Sequence, residues 1–392
     1  MIRSTLALVS AVTVGLASCG SAASNRGTQI ACGRAAIAYL GPLTGEDAVP
    51  NTPERNAVAL QVEQYNESHE DCQVGFVEFN AMSTDAENRA LAERIAGDPE
   101  IVGVVGPVWC HPAFASMPVF DAAGLSVVSP EATNVELTTK GWKTFHRVVR
   151  NDGVQGPSLA LFAVKSLGAT RVAIIDDGTA YGAGVATAVE EAVLGAGVEV
   201  VHTAILDAED TDYREVVSDL VGAKVDVLLY GGLDKVAARL VQQADAAGLR
   251  VPMVGSDGLL TSTFAVGAGA ASDGDYATCP CVPSEIEVAS SRHQTFITDY
   301  QSRFGELPPR FAAESAEAAA VLLEAIANGN RSRDGITDYL RTIDMAGITK
   351  RIQFTATGDI SDGPVFVYQV RNGAFVPVAR VTSGKLELVE GS

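Results

Sequence analysis

Short apolar segments alternate with amphipathic helical patterns from about residue 35 onward, and a glycine-bearing turn commonly separates the two. Near-continuous apolar strands joined by helices are typical of parallel sheets covered on both faces. The sequence therefore predicts an α/β fold. The predicted strands are 35–40, 75–79, 101–105, 126–129, 171–175, 198–206, 225–230 and 251–254. The predicted helices are 53–67, 85–96, 112–123, 184–194, 213–221 and 235–247.

This strand–helix pattern occurs twice, with a break around 145–155. A chain of 392 residues exceeds the size at which one hydrophobic core stops growing, so we expect two domains. The last hundred residues contain too few elements for a third compact domain. They predict helices at 290–304 and 311–327 and strands at 352–354, 365–370 and 375–381, the last two forming a hairpin. We expect these pieces to complete the two sheets, so that the chain crosses between domains more than once.

The amino terminus has the pattern of an export signal. Arg3 precedes an apolar run at 6–16 that is too short to span a bilayer, and Leu16-Ala17-Ser18-Cys19 follows. This arrangement resembles the bacterial lipobox, in which the cysteine is acylated and becomes the new amino terminus. The prediction is a signal peptide at 1–18, lipidation of Cys19 and a linker at 19–31. Ordinary signal cleavage nearby, with Cys19 incidental, is the alternative.

The charge balance excludes several classes of partner. The chain carries 28 Lys and Arg against 48 Asp and Glu, a formal net charge of −20, and such a surface repels nucleic acid and anionic membranes. The five histidines are scattered, and none forms a zinc-type pair. Serine-hydrolase, zinc-protease and phosphate-loop motifs are absent from the sequence. We expect no enzyme activity, no cofactor and no metal.

Disulfides can form in an exported protein, because the environment outside the cytoplasm is oxidising. Five cysteines follow Cys19 in the sequence. Cys32 and Cys72 each precede a predicted strand, and parallel neighbouring strands would bring them together, so we expect this pair. Cys279 and Cys281 either form a local bridge or send one thiol to Cys110. A metal site made by Cys110, His111 and the Cys279–Cys281 pair is a further alternative, and sequence alone does not fix the connectivity.

Small and polar residues follow most of the predicted strands. In open parallel sheets, ligands bind beyond the carboxyl ends of the strands. Two such sheets facing one another would enclose a cleft at the domain interface, a common place for small-ligand sites. The segments concerned are 41–45, 106–110, 129–134, 176–182, 231–232 and 255–258.

Several of these segments also carry a family resemblance. The stretches VGPVWCHPAFASMPVFDAAGLSVVSPEATNVELTT from Val105, VAIIDDGTAYGAG from Val172 and LLYGGLDKVAARLVQQADAAGLRVPMVGSDG from Leu228 resemble type I periplasmic solute-binding proteins, in particular the branch that binds branched-chain amino acids. The resemblance implies two Rossmann-like lobes with parallel sheets, joined by three hinge crossovers near 146–151, 278–283 and 346–350. Lobe 1 would then comprise 32–148 and 283–346, and lobe 2 would comprise 149–282 and 347–390.

The resemblance also implies a ligand site. The family binds an amino acid's carboxylate with a serine and a threonine, whose positions fall here on Cys110 and Thr133. The unpaired N–H groups of a helix opening at Cys110 would favour an anion in any case. The family acid that meets the ammonium corresponds to Asp257, and a pocket tyrosine corresponds to Tyr181. The alternatives are that Asp257 caps a turn and that Tyr181 only covers the hinge.

Other positions depart from the family pattern. Leu233 replaces a frequent tyrosine, Pro50 replaces an aromatic of some members, and Glu131 brings a negative charge beside the expected carboxylate site. Trp109 offers a stacking or cation–π face, or forms a structural wall. These departures weaken the case for leucine, isoleucine or valine and leave a polar, cationic or amide-bearing molecule as an alternative. The expected ligand-binding set is Trp109, Cys110, His111, Glu131, Ala132, Thr133, Tyr181, Leu233 and Asp257.

The resulting hypothesis is a monomeric, lipid-anchored receptor on the outer face of the cytoplasmic membrane. It would capture an amino acid or analogue by closure of two lobes and deliver it to a membrane permease and ATPase of the ABC type. A sensory protein of the same fold that acts on a signalling partner is the alternative. A lipid-anchored enzyme is the third option, which turnover of a bound ligand would reveal.

Overall fold

The computed structural model describes residues 34–45, 48–286 and 290–389. The predicted signal peptide, Cys19 and Cys32 lie outside these residues. The first sheet has five parallel strands in the order β2-β1-β3-β4-β5. Its strands are β1 (Ala36–Gly41), β2 (Gly75–Asn80), β3 (Ile101–Val105), β4 (Ser126–Ser129) and β5 (Phe145–Arg147), and the helices between them are α1 (Ala48–Ser68), α2 (Asp85–Ala96) and α3 (Cys110–Ala122).

The second sheet has eight strands and begins after β5. Its parallel strands are β6 (Arg171–Asp176), β7 (Glu199–Ile205), β8 (Val227–Gly231), β9 (Met253–Gly255) and β10 (Tyr276–Cys279). The helices of this region are α4 (Asp152–Ser166), α5 (Ala180–Gly195), α6 (Arg214–Ala223), α7 (Asp234–Ala246) and α8 (Ser262–Ala268). Buried aliphatic side chains of these strands form hydrophobic clusters on both faces of the sheet. This double burial explains why the strands read as continuous apolar runs.

The carboxy-terminal part adds strands to the second sheet but only helices to the first, so the expectation that it completes both sheets is right for the second sheet and wrong for the first. Its elements are α9 (Ser291–Phe304), α10 (Ala312–Ala327), α11 (Arg333–Leu340), β11 (Met345–Ala346), β12 (Arg351–Ile352), β13 (Val365–Arg371), β14 (Ala374–Thr382) and β15 (Lys385–Leu388). Helices α10 and α11 pack on β3 and β4 of the first sheet. Strands β13, β14 and β15 add antiparallel to the second, giving the order β15-β14-β13-β10-β9-β8-β6-β7.

The predicted hairpin between β13 and β14 is present. Arg371 pairs with Ala374, and the two turn residues Asn372 and Gly373 have φ values of 53° and 78°. A two-residue turn with positive φ at both positions matches the twist of the flanking strands, and asparagine followed by glycine adopts it at low cost.

The last passage between the sheets lies later in the chain than 346–350. Ile352 and Ile360 are buried with the core of the first sheet, and Val365 begins β13 in the second. The chain therefore passes from one sheet to the other between 360 and 365. The segment around Ile352 does not extend a main sheet, because β12 pairs only with β11 in a short ribbon.

Helix α4 lies in the region that the sequence presents as a break between the two halves. Gly153, Gly156 and Pro157 interrupt the helical pattern there. A side chain at Gly156 would meet the Cβ of Ala188 on α5 at 2.7 Å, so the glycine allows the two helices to pack closely. Gly156 therefore disrupts the helical pattern in the sequence, yet the close packing of α4 against α5 requires it.

The structure establishes most of the disulfide connectivity within the described residues. Cys279 and Cys281 form the local disulfide, and Cys110 is a buried free thiol. The alternative bridge from Cys110 to that pair is therefore wrong. Cys72 is disulfide-bonded to a cysteine outside the described residues, so the Cys32–Cys72 pair stays a prediction. No cluster of metal-ligating side chains occurs within the described part of the chain.

Candidate ligand-binding cleft

A cavity of about 270 Å³ lies where strand ends of both sheets meet. The segments that follow β3 and β4 line it from the first sheet, and those that follow β6, β8 and β9 line it from the second. Eight of the nine residues expected from the sequence line this cavity: Trp109, Cys110, His111, Glu131, Thr133, Tyr181, Leu233 and Asp257. Ala132 does not, because it is fully buried behind the cavity wall.

One end of the cavity is formed by the start of α3. Trp109 precedes the helix without a side-chain cap, so the first N–H groups of the helix have no capping partner. Thr133 is 1% exposed, and its hydroxyl has no hydrogen bond of normal length to the described protein groups. Helix N–H groups and a hydroxyl together form a suitable site for a carboxylate.

Cys110, the first residue of α3, contributes a thiol to the cavity wall. Its sulfur accepts a hydrogen bond from the backbone N–H of Asn134 at 3.4 Å. Burial raises the pKa of the thiol to about 12, so the side chain is neutral at physiological pH. Cys110 therefore orders the loop after β4 and adds no charge to the cavity.

Asp152 lies behind Thr133 at the start of α4. Burial raises the pKa of its carboxyl to about 7, although the nearby Thr133 hydroxyl lowers it in part. Neither carboxyl oxygen has a hydrogen bond of normal length within the described structure. The group therefore changes its charge near neutral pH, close to Thr133.

Another part of the cavity wall is formed by Asp257 after β9. Its Oδ1 accepts hydrogen bonds from Gln155 Nε2 at 2.7 Å and from the Tyr181 hydroxyl at 2.8 Å. The same Tyr181 oxygen accepts a bond from the N–H of Gly258 at 3.0 Å. Burial raises the pKa of Asp257, and the nearby Arg310 opposes that effect. Asp257 thus presents a fixed carboxyl group to the cavity, suited to a ligand ammonium.

Arg310, which the sequence did not single out, forms a further part of the wall. Its Nη1 lies 3.2 Å from Oε1 of Glu131 and 3.4 Å from the backbone oxygen of Asp257. Glu54 lies behind Glu131, fully buried, with a hydrogen bond from Ser315 at 3.1 Å. Burial and then the charge of Glu131 raise the pKa of Glu54 well above its ordinary value. Burial therefore favours the neutral form of Glu54, while Glu131 is paired with Arg310.

A buried arginine holds the loop that carries Thr133. The Arg147 guanidinium is fully buried, lies 2.6 Å from the carboxylate of Asp359, and donates to the backbone oxygens of Ala132 and Asn134. Asn134 in turn donates from its amide to the backbone oxygen of Ala180 at 2.9 Å. The loop is therefore fixed to its own sheet and touches the start of α5 on the other.

The remaining expected residues lie near the edge of the cavity. His111 is half exposed, and its Nε2 lies 2.8 Å from Oδ1 of Asp85. Leu233 is 49% exposed. Trp109 is partly buried and packs against the core of the first sheet, which agrees with its role as a wall. These three side chains border the site without forming its charged ends.

Two sheets that present their strand ends to one shared cavity define a small-molecule binding protein. The chain matches the periplasmic binding protein family over residues 35–374 and belongs to that family. It is accordingly a binding protein and not an enzyme, and the α/β fold expected from the sequence is confirmed.

Named relatives agree with this assignment. A leucine-, isoleucine-, valine-, threonine- and alanine-binding protein of Pseudomonas aeruginosa is 26% identical over 336 residues, which cover 85% of this chain and 89% of the relative. LivJ of Streptococcus pneumoniae, a branched-chain amino acid transporter substrate binding protein solved with isoleucine, has a TM-score of 0.79 at 24% identity, covering 91% of this chain and 99% of that one. The leucine binding protein LivK of Thermotoga maritima has a TM-score of 0.80 at 23% identity, covering 89% and 99%.

None of the helices in the described residues combines the length and the apolar character that a membrane span requires.

Proposed function

We propose that this protein is the extracytoplasmic receptor of an ABC importer and that it captures an amino acid or a close analogue between two lobes. Lobe 1 is the five-stranded sheet with α1–α3 and α9–α11, and lobe 2 is the eight-stranded sheet with α4–α8. The observation that carries the proposal is a cavity that residues from both sheets line and that contains both helix N–H groups and a buried carboxyl group.

The two ends of the cavity are complementary to a zwitterion. The ligand carboxylate binds the N–H groups at the start of α3 and the hydroxyl of Thr133, and the ligand ammonium binds Asp257. Since Thr133 follows a strand of the first sheet and Asp257 a strand of the second, one small molecule contacts both lobes. Binding of this kind favours the closed arrangement of the lobes by its differential affinity for that state.

The relatives support the amino-acid assignment and the transport role. The Pseudomonas aeruginosa relative is named for five amino acids, and LivJ is described as part of a branched-chain amino acid transporter. Glu131 and Arg310 add a charged pair to the wall of the cavity, so the ligand of this chain is more polar than a branched-chain amino acid. A permease and an ATPase on separate chains complete the importer.

The receptor is exported and tethered through Cys19. This part of the proposal is supported by the signal-like sequence 1–18 and by the family, whose members are described as periplasmic. A single acyl chain gives only marginal binding to a membrane, so stable anchoring requires more than one chain on the new amino terminus.

Titration calorimetry against amino acids tests the function. Asp257→Asn keeps the size of the side chain and removes its charge, and it should weaken binding by about 3 kcal/mol, roughly 100-fold in Kd. Asp245→Asn, which removes the charge from an exposed pair with Arg250, is the matched control and should leave Kd unchanged. Heats of binding that are absent for every amino acid, or equal for wild type and Asp257→Asn, would contradict the proposal.

A further inference from the structure

We infer that Arg310 determines ligand specificity by donating hydrogen bonds to a neutral acceptor, a carboxamide or hydroxyl oxygen, on the side chain of the bound amino acid. The inference rests on the proposed function, because it concerns the same cavity. It assigns the ligand to the polar uncharged amino acids and their amide analogues.

The first argument is the number of open donors on Arg310. A guanidinium group has five N–H donors. Within the described residues only Nη1 has hydrogen-bond acceptors, which are Glu131 Oε1 and the backbone oxygen of Asp257. The side chain is 16% exposed and lines the cavity, so the donors on Nε and Nη2 are available to a molecule inside it. A ligand that excludes water from these donors must supply an acceptor oxygen or leave them unpaired, which is costly.

The second argument is the backbone that positions Arg310. Pro308 and Pro309 precede it, and Phe311 follows with a φ of 59°, a left-handed conformation that is rare for a bulky residue. Phe311 is 1% exposed, and the guanidinium carbon lies 5.3 Å from the centre of its ring. Such a conformation persists only where the surroundings enforce it, and it occurs preferentially at functional sites. The segment therefore fixes the guanidinium at the cavity wall.

The third argument is charge. Glu131 is already paired with Arg310, and burial favours the neutral form of Glu54 behind it. A ligand carboxylate at this position would be repelled by Glu131 and Asp257, whose burial weakens the screening of their charges. A neutral oxygen accepts the open N–H bonds without that repulsion. A leucine side chain would cover the same donors with methyl groups and leave them unpaired.

Leucine, asparagine and aspartate have side chains of nearly the same shape, and titration calorimetry of the wild-type protein with these three separates the possibilities. Asparagine should bind at least about 10-fold more tightly than leucine, the effect of one hydrogen bond to a charged group. Aspartate should bind more weakly than asparagine. Equal affinity for asparagine and leucine, or tighter binding of aspartate, would overturn the inference.

A double variant tests whether Arg310 causes the preference for asparagine over leucine. Arg310→Met with Glu131→Gln removes the donors without leaving a buried carboxylate unpaired, and it should bring asparagine and leucine to within about 3-fold of each other. Arg303→Met, which changes an exposed arginine paired with Glu63, is the control and should keep the preference. An asparagine preference that survives in the double variant, with its fold verified by circular dichroism, would overturn the inference.

The outcomes also separate this inference from the function on which it rests. Binding of leucine but not of asparagine would remove the role of Arg310 and leave the amino-acid receptor intact. No binding of any amino acid would remove the proposed function, and this inference with it.

Discussion

Gln155 donates a hydrogen bond from Nε2 to Oδ1 of Asp257 at 2.7 Å, and the same nitrogen lies 3.0 Å from the backbone oxygen of Thr278. Both partners of the first bond are almost completely buried. Helix α4 thereby fixes the carboxyl group that the sequence assigns to the ligand ammonium. Gln155 is a positioning residue, because it acts on the ligand through Asp257.

Replacing Gln155 with methionine removes this donor at nearly constant volume. The carboxylate of Asp257 then loses a hydrogen bond, so its pKa rises further and amino-acid binding weakens by about 10-fold at pH 7. Calorimetry at several pH values is the measurement, since a merely structural change would not move the pH profile toward higher pH. Gln242→Met, which removes an exposed amide bonded to Gly267, serves as the control. An unaltered pH profile in Gln155→Met would contradict the assigned role.

Ligand affinity should depend on pH in a defined direction. The pKa of Asp257 is raised by burial above the ordinary value of 3.8. As the pH falls through this raised pKa, Asp257 takes up a proton and no longer attracts an ammonium. Affinity should therefore decline at a higher pH than an exposed aspartate would require.

Asp152 has the opposite effect on ligand affinity near pH 7. Its protonation removes a negative charge close to the ligand carboxylate, so affinity should rise as the pH falls through its pKa. Calorimetry from pH 5 to pH 8 on wild type and on Asp152→Asn separates the two groups. The acid-side loss of affinity should remain in Asp152→Asn. An affinity that rises steadily toward pH 5 in that variant would contradict the prediction.

Stability should also depend on pH through Asp275. Its Oδ1 accepts a bond from the N–H of Met253 at 2.8 Å, its Oδ2 has no partner within the described structure, and burial raises its pKa to about 7. A folded-state pKa above the unfolded one gives stability that is present below the unfolded pKa and is lost as the pH rises through the folded pKa. Asp275→Asn removes this dependence.

The free energy of unfolding of wild type should therefore fall relative to Asp275→Asn by about 2 kcal/mol between pH 5 and pH 8. Urea denaturation at the two pH values measures this difference. Because both proteins carry every other titrating group, the remaining groups cancel in the comparison. A difference between the two proteins that does not change with pH would contradict the prediction.

Membrane attachment should depend on one thiol. Cys19→Ala cannot be acylated, so the protein should move from the membrane fraction to the soluble exported fraction. Ser24→Ala, five residues further along the proposed linker, should leave the distribution unchanged. Cell fractionation with immunoblotting is the measurement, and continued membrane association of Cys19→Ala would contradict lipid anchoring.

The sequence contains enough information to predict most strands and several helices. The predicted 101–105 and 126–129 coincide with β3 and β4, and 85–96 coincides with α2. Strands buried on both faces give uninterrupted apolar runs, which are readable without knowledge of their neighbours. The family resemblance adds the residues that follow these strands, and eight of the nine expected residues line the cavity.

The missed features depend on distant packing. The sequence does not indicate helix α4, because Gly153, Gly156 and Pro157 are poor helix formers. The need for Gly156 becomes evident only from its close contact with Ala188 of α5. Arg310 meets Glu131 across a sequence separation of 179 residues, and no local pattern connects them. A charge that follows two prolines is the only local signal at this position, and it does not indicate a ligand cavity.

The central claim is that two lobes close on one small molecule that each of them contacts. Small-angle X-ray scattering of the protein, without ligand and saturated with the tightest amino acid found by calorimetry, tests it most directly. With the ligand at about 10-fold the wild-type Kd, the radius of gyration of the wild type should decrease, and Asp257→Asn at the same concentration, about a tenth of its own Kd, should keep the ligand-free value. An unchanged radius of gyration in wild type with the ligand demonstrably bound would contradict the claim.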